Sequence, residues 1–200
     1  GMNCFFGPVT MRNLVCLWRL SWIGMVSALT PAWAADIGPR PLVRLAVSEW
    51  PPFTGEHLPG NGIGADTLRQ MLGRAGYQLE LVWLPWTRAV CDGSGMDSKL
   101  DGYFPEYTTA DTRRRCQLSA PIGMSVLGLA HQAAQPVNWT HMADLARYRV
   151  GVVNGYVNTD AFDAAVSAGI LRVDGASSDE SNLRKLLRER IDVAVIDREV

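Results

Sequence analysis

Residues 101–122 carry the densest group of side chains in the chain that could bind a small charged molecule. A short apolar stretch at residues 102–104 opens the segment, and Pro105 then removes the next hydrogen bond of a strand ladder. A carboxylate (Glu106), a phenol, two threonines and three consecutive arginines (residues 113–115) follow. Because ligands of α/β proteins bind beyond the carboxyl ends of the strands, this mixture of charges could bind a small zwitterion or anion. The alternative interpretation is a solvated loop with a basic surface turn.

The composition of the chain narrows the classes of partner. The 200 residues carry a formal net charge of −1, and they fit one large domain or two small lobes. No block of like charge indicates a nucleic-acid partner. His57, His131 and His141 are scattered, and the sequence shows neither a nucleophile beside a base nor a cluster with metal-ligand spacing. We therefore predict no metal, no cofactor and no catalytic residue.

The N-terminal segment has the organisation of a secretory signal. Arg12 and Arg19 follow a possible start at Met11 and precede an apolar run at residues 20–29, and small residues around Ala34 follow a proline. We expect a signal peptide at residues 1–34, with cleavage after Ala34. The apolar run is too short to span a bilayer, so a retained anchor is the weaker alternative.

Export changes the interpretation of the cysteines, because the mature chain would retain only Cys91 and Cys116. Two cysteines in an oxidising compartment form a disulfide more often than a metal site. We therefore expect a Cys91–Cys116 bridge that braces the arginine-bearing segment. The alternative is a pair of separately buried thiols.

Apolar periodicity predicts strands that alternate with helices, which is typical of an α/β fold. Strands are predicted at residues 42–48, 77–84, 99–104, 124–130, 148–153, 171–173 and 191–196. Helices are predicted at residues 65–75 and 181–190, after Pro85, from Met142 and after Asn158. Two prolines stiffen the loop beyond the first strand, so we expect Trp50 to form a rigid aromatic wall for a ligand. Phe53 is expected to cap the core.

The order of several short motifs is more specific than any one of them. The motifs are Trp50-Pro51-Pro52-Phe53, a glycine-loop helix ending in Ala75-Gly76-Tyr77, Leu84-Pro85-Trp86, Lys99-Leu100-Asp101-Gly102 and Ser119-Ala120-Pro121-Ile122. Together they resemble the family 3 bacterial extracellular solute-binding proteins, the polar amino-acid receptors of ABC importers, over nearly the whole mature chain.

The resemblance implies an architecture as well as a function. It implies the two-lobed, hinged periplasmic binding protein fold of type II, with lobe 1 at residues 35–132 and lobe 2 at residues 133–200. A second crossing would begin near residue 197. Family members continue with a C-terminal return segment, which we expect to be missing here. The predicted signal peptide implies a periplasmic location, and we expect the mature chain to be a monomer.

The resemblance also implies ligand contacts in the second half of the chain. Gly155, Tyr156 and Asn158 stand in a turn that holds the carboxylate side of the ligand in the family, which agrees with anion binding at helix N-termini. Asp197 corresponds to the acid that receives the α-ammonium group. Its alternative roles are a helix N-cap or a surface turn.

The family arginine that pairs with the α-carboxylate is harder to locate. Counting forward from Asp101 selects Arg113, whereas counting back from Ser119 selects Thr112. We choose Arg113 and expect the next two arginines to face outward. Glu106 stands where the family usually has a small hydroxyl residue, and a carboxylate there repels an α-carboxylate and attracts a cation.

These contacts predict a receptor for a small polar solute that is amino-acid-like or amine-bearing. Trp50 and Trp86 would pack its body, Glu106 and Asp197 would bind its positive end, and Arg113 with the turn would bind its negative end. An ABC importer component is the expected partner, and no enzymatic activity is expected. The alternatives are a dehydratase-like enzyme that uses Glu106 as a general acid or base, and a ligand-sensing domain on the same fold.

Overall fold

The computed structural model describes residues 2–5, 38–95 and 99–200 and shows strands that alternate with helices. The strands are β1 (Met2–Phe5), β2 (Leu42–Val47), β3 (Gln78–Trp83), β4 (Gly102–Tyr103), β5 (Glu106–Tyr107), β6 (Leu118–Gly123), β7 (Leu127–Ala130), β8 (Val150–Val153), β9 (Val173–Ala176) and β10 (Val193–Asp197). The helices are α1 (Ile63–Arg74), α2 (Trp86–Ser94), α3 (Ala110–Arg115), α4 (Asp160–Ser167) and α5 (Asp179–Leu187), with 3-10 turns at Pro59–Asn61 and Met142–Arg147. The predicted α/β class is confirmed.

The first lobe is built on a parallel sheet with the strand order β3-β2-β4. Strand β2 pairs with β3 along its whole length and with β4 over two residues. Leu45 and Val47 are fully buried and pack with Leu68 and Leu72 of α1 in one core cluster. Because the three strands are parallel, the residues that follow them, including Ser48 and Glu106, meet at one edge of the sheet.

The second lobe is built on a four-stranded sheet with the order β7-β10-β8-β9. Strands β10, β8 and β9 are mutually parallel, and β7 pairs antiparallel with β10. Leu145, Val150, Phe162 and Val193 form its core with their neighbours. The residues after β8, β9 and β10 therefore meet at the edge that faces the first lobe.

The pairing of β7 with β10 bears on where the chain passes from one lobe to the other. Residues 124–130 were predicted as a strand that precedes the crossing, but Leu127–Ala130 belongs to the second sheet. An apolar run buries equally well in either sheet, so its composition does not identify its partner. We propose that the chain changes lobe at residues 124–126, ahead of the predicted boundary after residue 132.

The N-terminal strand β1 lies between β5 and β6 in an antiparallel three-stranded sheet. Residue 1 and residues 6–34 of the predicted signal peptide lie outside the described residues, so the signal peptide and its cleavage after Ala34 stay predictions. None of the helices in the described ranges is both long and apolar enough to cross a membrane.

The predicted Cys91–Cys116 disulfide is not formed in the structure, where both residues are free thiols. Cys91 is exposed on α2, whereas Cys116 is half-buried. The Cys116 sulfur lies 3.7 Å from the hydroxyl oxygen of Ser94 and 4.0 Å from that of Tyr103. A disulfide requires two sulfurs about 2.05 Å apart, and here the sulfur of Cys116 packs against hydroxyl groups instead.

Candidate ligand-binding site

A cavity lies between the two lobes at the carboxyl ends of their strands, with about 360 Å³ of space that includes its opening to solvent. It is lined by Ser48, Trp50, Trp86, Pro105, Glu106, Tyr107, Tyr156 and Val157. The last two residues follow β8 in the second lobe, and the others precede β6. The lining is mostly aromatic and apolar, with Glu106 as its carboxyl group, which is the kind of composition that small-molecule sites have. It brings together four of the predicted site residues: Trp50, Trp86, Glu106 and Tyr156.

Trp50 is held by a tight loop directly after β2. Its amide donates to the carbonyl of Thr54 at 2.8 Å, and the Thr54 hydroxyl donates to the carbonyl of Ser48 at 2.7 Å. The ring of Phe53 lies 4.5 Å from that of Trp50, between centroids, and is buried beneath it. The loop therefore fixes the indole at the sheet edge before any ligand arrives.

Trp86 begins α2 directly after Pro85 and contacts the second lobe. Its indole N–H donates to the carbonyl oxygen of Gly155 at 3.0 Å. Gly155 has a φ of +79°, which favours glycine, and a Cβ added there would lie 2.9 Å from the Cγ2 of Thr87. The predicted Gly155 thus allows the turn after β8 to approach α2, and the ring of Tyr156 lies 5.6 Å from Trp86.

Glu106 is a buried carboxyl group in the wall of the cavity, with 4% of its surface exposed. One carboxylate oxygen accepts from the Tyr107 amide at 2.9 Å, and the other accepts from the Tyr103 hydroxyl at 3.3 Å. Burial raises the pKa of Glu106 to about 7, although the Tyr107 amide and the charge of Arg115 oppose that rise. An ionised Glu106 is therefore costly in the empty cavity, and a cationic ligand would stabilise it.

Asp197 ends β10 and binds a residue of the other half of the chain. It is 3% exposed, and one of its oxygens accepts from the Tyr107 hydroxyl at 2.7 Å. The other oxygen accepts from the Glu199 amide at 2.9 Å. Asp197 is thus buried behind Tyr107 rather than placed in a surface turn. It does not line the cavity itself, but its hydrogen-bond partner Tyr107 does.

Asp179 is a third buried acid at this edge, and the sequence prediction did not include it. It begins α5, is 7% exposed and lies close enough to the Trp50 indole for that group to oppose the rise in its pKa. Burial raises the pKa of Asp179 to about 6, and the charge of Asp197 adds to that rise. The sequence around Asp179 predicts only the N-terminus of a helix after Ser178. Its position beyond β9 is the signal that could have predicted its place at the edge of the sheet.

Arg113 does not line the cavity. It is exposed on α3, whereas its neighbour Thr112 is fully buried and donates to the Tyr107 carbonyl at 3.1 Å. The structure thus places Thr112 inward, in agreement with the count back from Ser119. Arg115 lies near enough to Glu106 to lower the pKa of that residue, but its guanidinium pairs with Asp111 at 2.6 Å.

The predicted Asn158 also lies away from the cavity. Its amide and its side-chain nitrogen donate to the two carboxylate oxygens of Asp163, at 2.9 and 3.2 Å. Asn158 borders a second, wider cavity of about 730 Å³ inside the second lobe. Apolar side chains such as Phe162 and Met142 dominate the lining of that cavity, which contains no carboxylate or guanidinium group. We therefore place the candidate site between the lobes.

The comparisons with known proteins identify the fold. No protein-family model matches the sequence, and no curated protein sequence matches it either. An ancestral arginine-binding protein bound to arginine is similar in structure, with a TM-score of 0.64, 15% identity, and coverage of 80% of this chain and 72% of that one. An arginine transport-system periplasmic binding protein from Legionella pneumophila has a TM-score of 0.61, 16% identity, and coverage of 79% and 69%.

A third similar structure links the fold to an enzyme. It is an ancestral amino-acid-binding protein described as a precursor of cyclohexadienyl dehydratase, with a TM-score of 0.61, 16% identity, and coverage of 78% and 71%. At such low identities the likeness shows the fold alone. The chain has the two-lobed α/β fold of periplasmic amino-acid-binding proteins, as the sequence motifs predicted.

Proposed function

We propose that this protein is a periplasmic solute-binding protein that captures a small amine-bearing solute between its lobes. The observation that carries the proposal is the position of Glu106, a buried carboxyl group in an aromatic-lined cavity that both lobes enclose. A carboxylate in such a site forms short, charge-assisted hydrogen bonds with an ammonium group. The arginine bound by one of the similar structures is itself a cationic amino acid.

The contacts between the lobes support a binding cycle of opening and closure. The Trp86 indole donates to Gly155, and the Tyr107 hydroxyl donates to Asp197. A third contact joins the Ala110 amide to the carboxylate of Asp160 at 2.8 Å. These bonds hold the lobes together over the cavity, so entry of a solute requires them to open about a hinge.

Calorimetric titration of the whole chain with amines and amino acids tests the proposal. At pH 8, Glu106→Gln should weaken the binding of a cationic solute at least about tenfold, because the buried negative charge that compensates the cation is lost. Glu180→Gln is the matched control, since Glu180 is exposed and pairs only with Arg184 on the surface of α5. Equal affinity of Glu106→Gln and wild type, or no binding of any amine or amino acid, contradicts the proposal.

An enzyme on the same fold is the second candidate, and the pKa of Glu106 favours it. A carboxyl group that titrates at about 7 is suited to general acid or base catalysis at neutral pH. Incubation of the protein with its solute, followed by mass spectrometry, distinguishes the two functions. A receptor returns the solute unchanged in a stoichiometric amount, whereas an enzyme accumulates product over many turnovers.

Location and partners complete the proposal. We expect residues 1–34 to direct export to the periplasm, the mature chain to be a monomer, and an ABC-type importer to receive the solute. Cell fractionation of the whole chain and of a variant that lacks residues 1–34 tests the first expectation. Retention of the whole chain in the cytoplasm would contradict it.

A further inference from the structure

The cavity walls are formed mainly by aromatic rings at right angles to one another. The ring of Trp50 lies 6.0 Å from Tyr107 and 6.5 Å from Tyr156, between centroids, with interplanar angles of 83° and 80°. Trp86 and Tyr156 are 5.6 Å apart at 83°. Rings in this arrangement enclose a space from several sides, and ring faces attract a cation that comes within about 6 Å of their centroids.

Negative charge surrounds the same space. Glu106 lies in the lining, Asp179 lies close to the Trp50 indole, and Asp197 accepts from Tyr107. Within the described ranges, none of these three buried acids forms an ion pair with a lysine, arginine or histidine side chain. The charge of Arg115 acts on Glu106, but its ion pair is with Asp111. A cation on the ligand would therefore compensate the negative charge of these buried acids.

The lining offers little to the other groups of an amino acid. No lysine or arginine belongs to it, and Arg113 is exposed on α3. The carboxylate of a ligand would thus lie among buried acids without a cationic partner. A primary ammonium group needs acceptors for its three hydrogens once it leaves water, whereas the lining is mostly aromatic, with the Glu106 carboxylate and a few hydroxyls as its polar groups. Methyl groups on the nitrogen remove that need and fill the apolar space between the rings.

We propose that the cavity is an aromatic cage for an alkylated ammonium ion that carries no carboxylate. The inference rests on the proposed solute-binding function and narrows its class of ligand. The cage consists of Trp50, Trp86, Tyr107 and Tyr156, and Glu106 supplies the counter-charge.

Calorimetric titration with matched compounds at pH 8 tests the charge and the carboxylate separately. Choline and glycine betaine share a trimethylammonium group, but only betaine carries a carboxylate. The neutral alcohol 3,3-dimethylbutan-1-ol has the shape of choline without its charge, and ethanolamine has the charge without the methyl groups. We expect choline to bind at least about tenfold more tightly than each of the other three compounds.

Two substitutions at Tyr156 test whether the ring acts through its π face. Tyr156→Phe keeps the aromatic face and should bind choline within about twofold of wild type. Tyr156→Leu keeps apolar volume but removes the face, and it should bind choline about tenfold more weakly. Thermal unfolding of both variants shows whether they are folded before their affinities are compared.

The outcomes separate this inference from the function on which it rests. Tight binding of choline with weak binding of the three analogues supports the cage. Betaine, ethanolamine or an α-amino acid binding as tightly as choline overturns the cage but leaves a solute-binding function in place. Equal affinities of Tyr156→Leu and Tyr156→Phe for choline also overturn it. If amines, amino acids, organic acids and sugars all fail to bind, both the inference and the proposed function are wrong.

Discussion

Replacement of Glu106 by glutamine should make the ligand-free protein more stable at alkaline pH. The buried carboxyl group has a pKa of about 7 in the folded protein, against an ordinary value of 4.5. Glutamine removes the ionisation but keeps an oxygen that can accept from the Tyr107 amide, as Glu106 does at 2.9 Å. The variant therefore isolates the cost of a buried negative charge from the loss of a hydrogen bond.

The expected magnitude follows from the two pKa values. A carboxyl group whose pKa is raised on folding stabilises the protein fully below its unfolded pKa, and that stability is lost as the pH rises through the folded pKa. The interval from 4.5 to about 7 corresponds to about 3 kcal/mol, most of which is lost between pH 5 and pH 8. In a chain of this size that difference corresponds to a midpoint change of about 6–12 °C.

Thermal and urea unfolding at pH 5 and pH 8, in the absence of ligand, provides the measurement. Wild type should lose about 2–3 kcal/mol more than Glu106→Gln over this range, because Asp179, whose pKa is also raised, is common to both proteins. Glu180→Gln should follow wild type, since that residue is exposed. Identical pH dependence of wild type and Glu106→Gln would refute a buried, ionisable Glu106.

Three further predictions concern other parts of the fold. Asn182→Leu should raise the free energy of unfolding by about 1–2 kcal/mol, because both polar atoms of this fully buried side chain lack a hydrogen-bond partner in the structure. Urea unfolding measures this free energy, and a variant less stable than wild type would contradict the prediction. Gly155→Ala should lower the melting midpoint, since the φ of +79° at Gly155 and the approach of this turn to α2 disfavour a Cβ. An unchanged midpoint would show that the turn tolerates a side chain. A reducing agent should leave the midpoint unchanged if Cys91 and Cys116 are free thiols, as in the structure, whereas a fall of several degrees would indicate a disulfide.

The alternation of strands and helices could be read from the sequence because burial imposes it locally. Strand β3, for example, is preceded by Gly76 at a helix end and alternates apolar side chains, so its type and position follow from a few residues. The sheet that a strand joins is a property of distant residues. Strand β7 was therefore predicted as a strand, but its pairing could not be, since its partner, β10, lies more than sixty residues further along the chain.

The candidate site shows the same division. Glu106 and Trp50 could be predicted because each directly follows a strand at the edge where ligands of α/β folds bind. Whether Arg113 or Thr112 faces inward depends on a shift of one residue in a short helix. Because successive helical side chains point about 100° apart, that shift decides which of the two is buried. Asp179 was missed because an acid at a helix N-terminus is expected on electrostatic grounds alone, whatever it faces.

Ligand recognition and lobe closure are coupled through the rings of the cage. Tyr107 donates to Asp197 and Trp86 donates to Gly155, so two of the four rings each hold a residue of the second lobe. Tyr156 belongs to the second lobe and meets Trp50 and Trp86 edge to face. Opening of the lobes would separate these walls and return the buried acids to water. A cation that needs the complete cage binds the closed form more tightly than the open one, and this difference in affinity is what would drive closure.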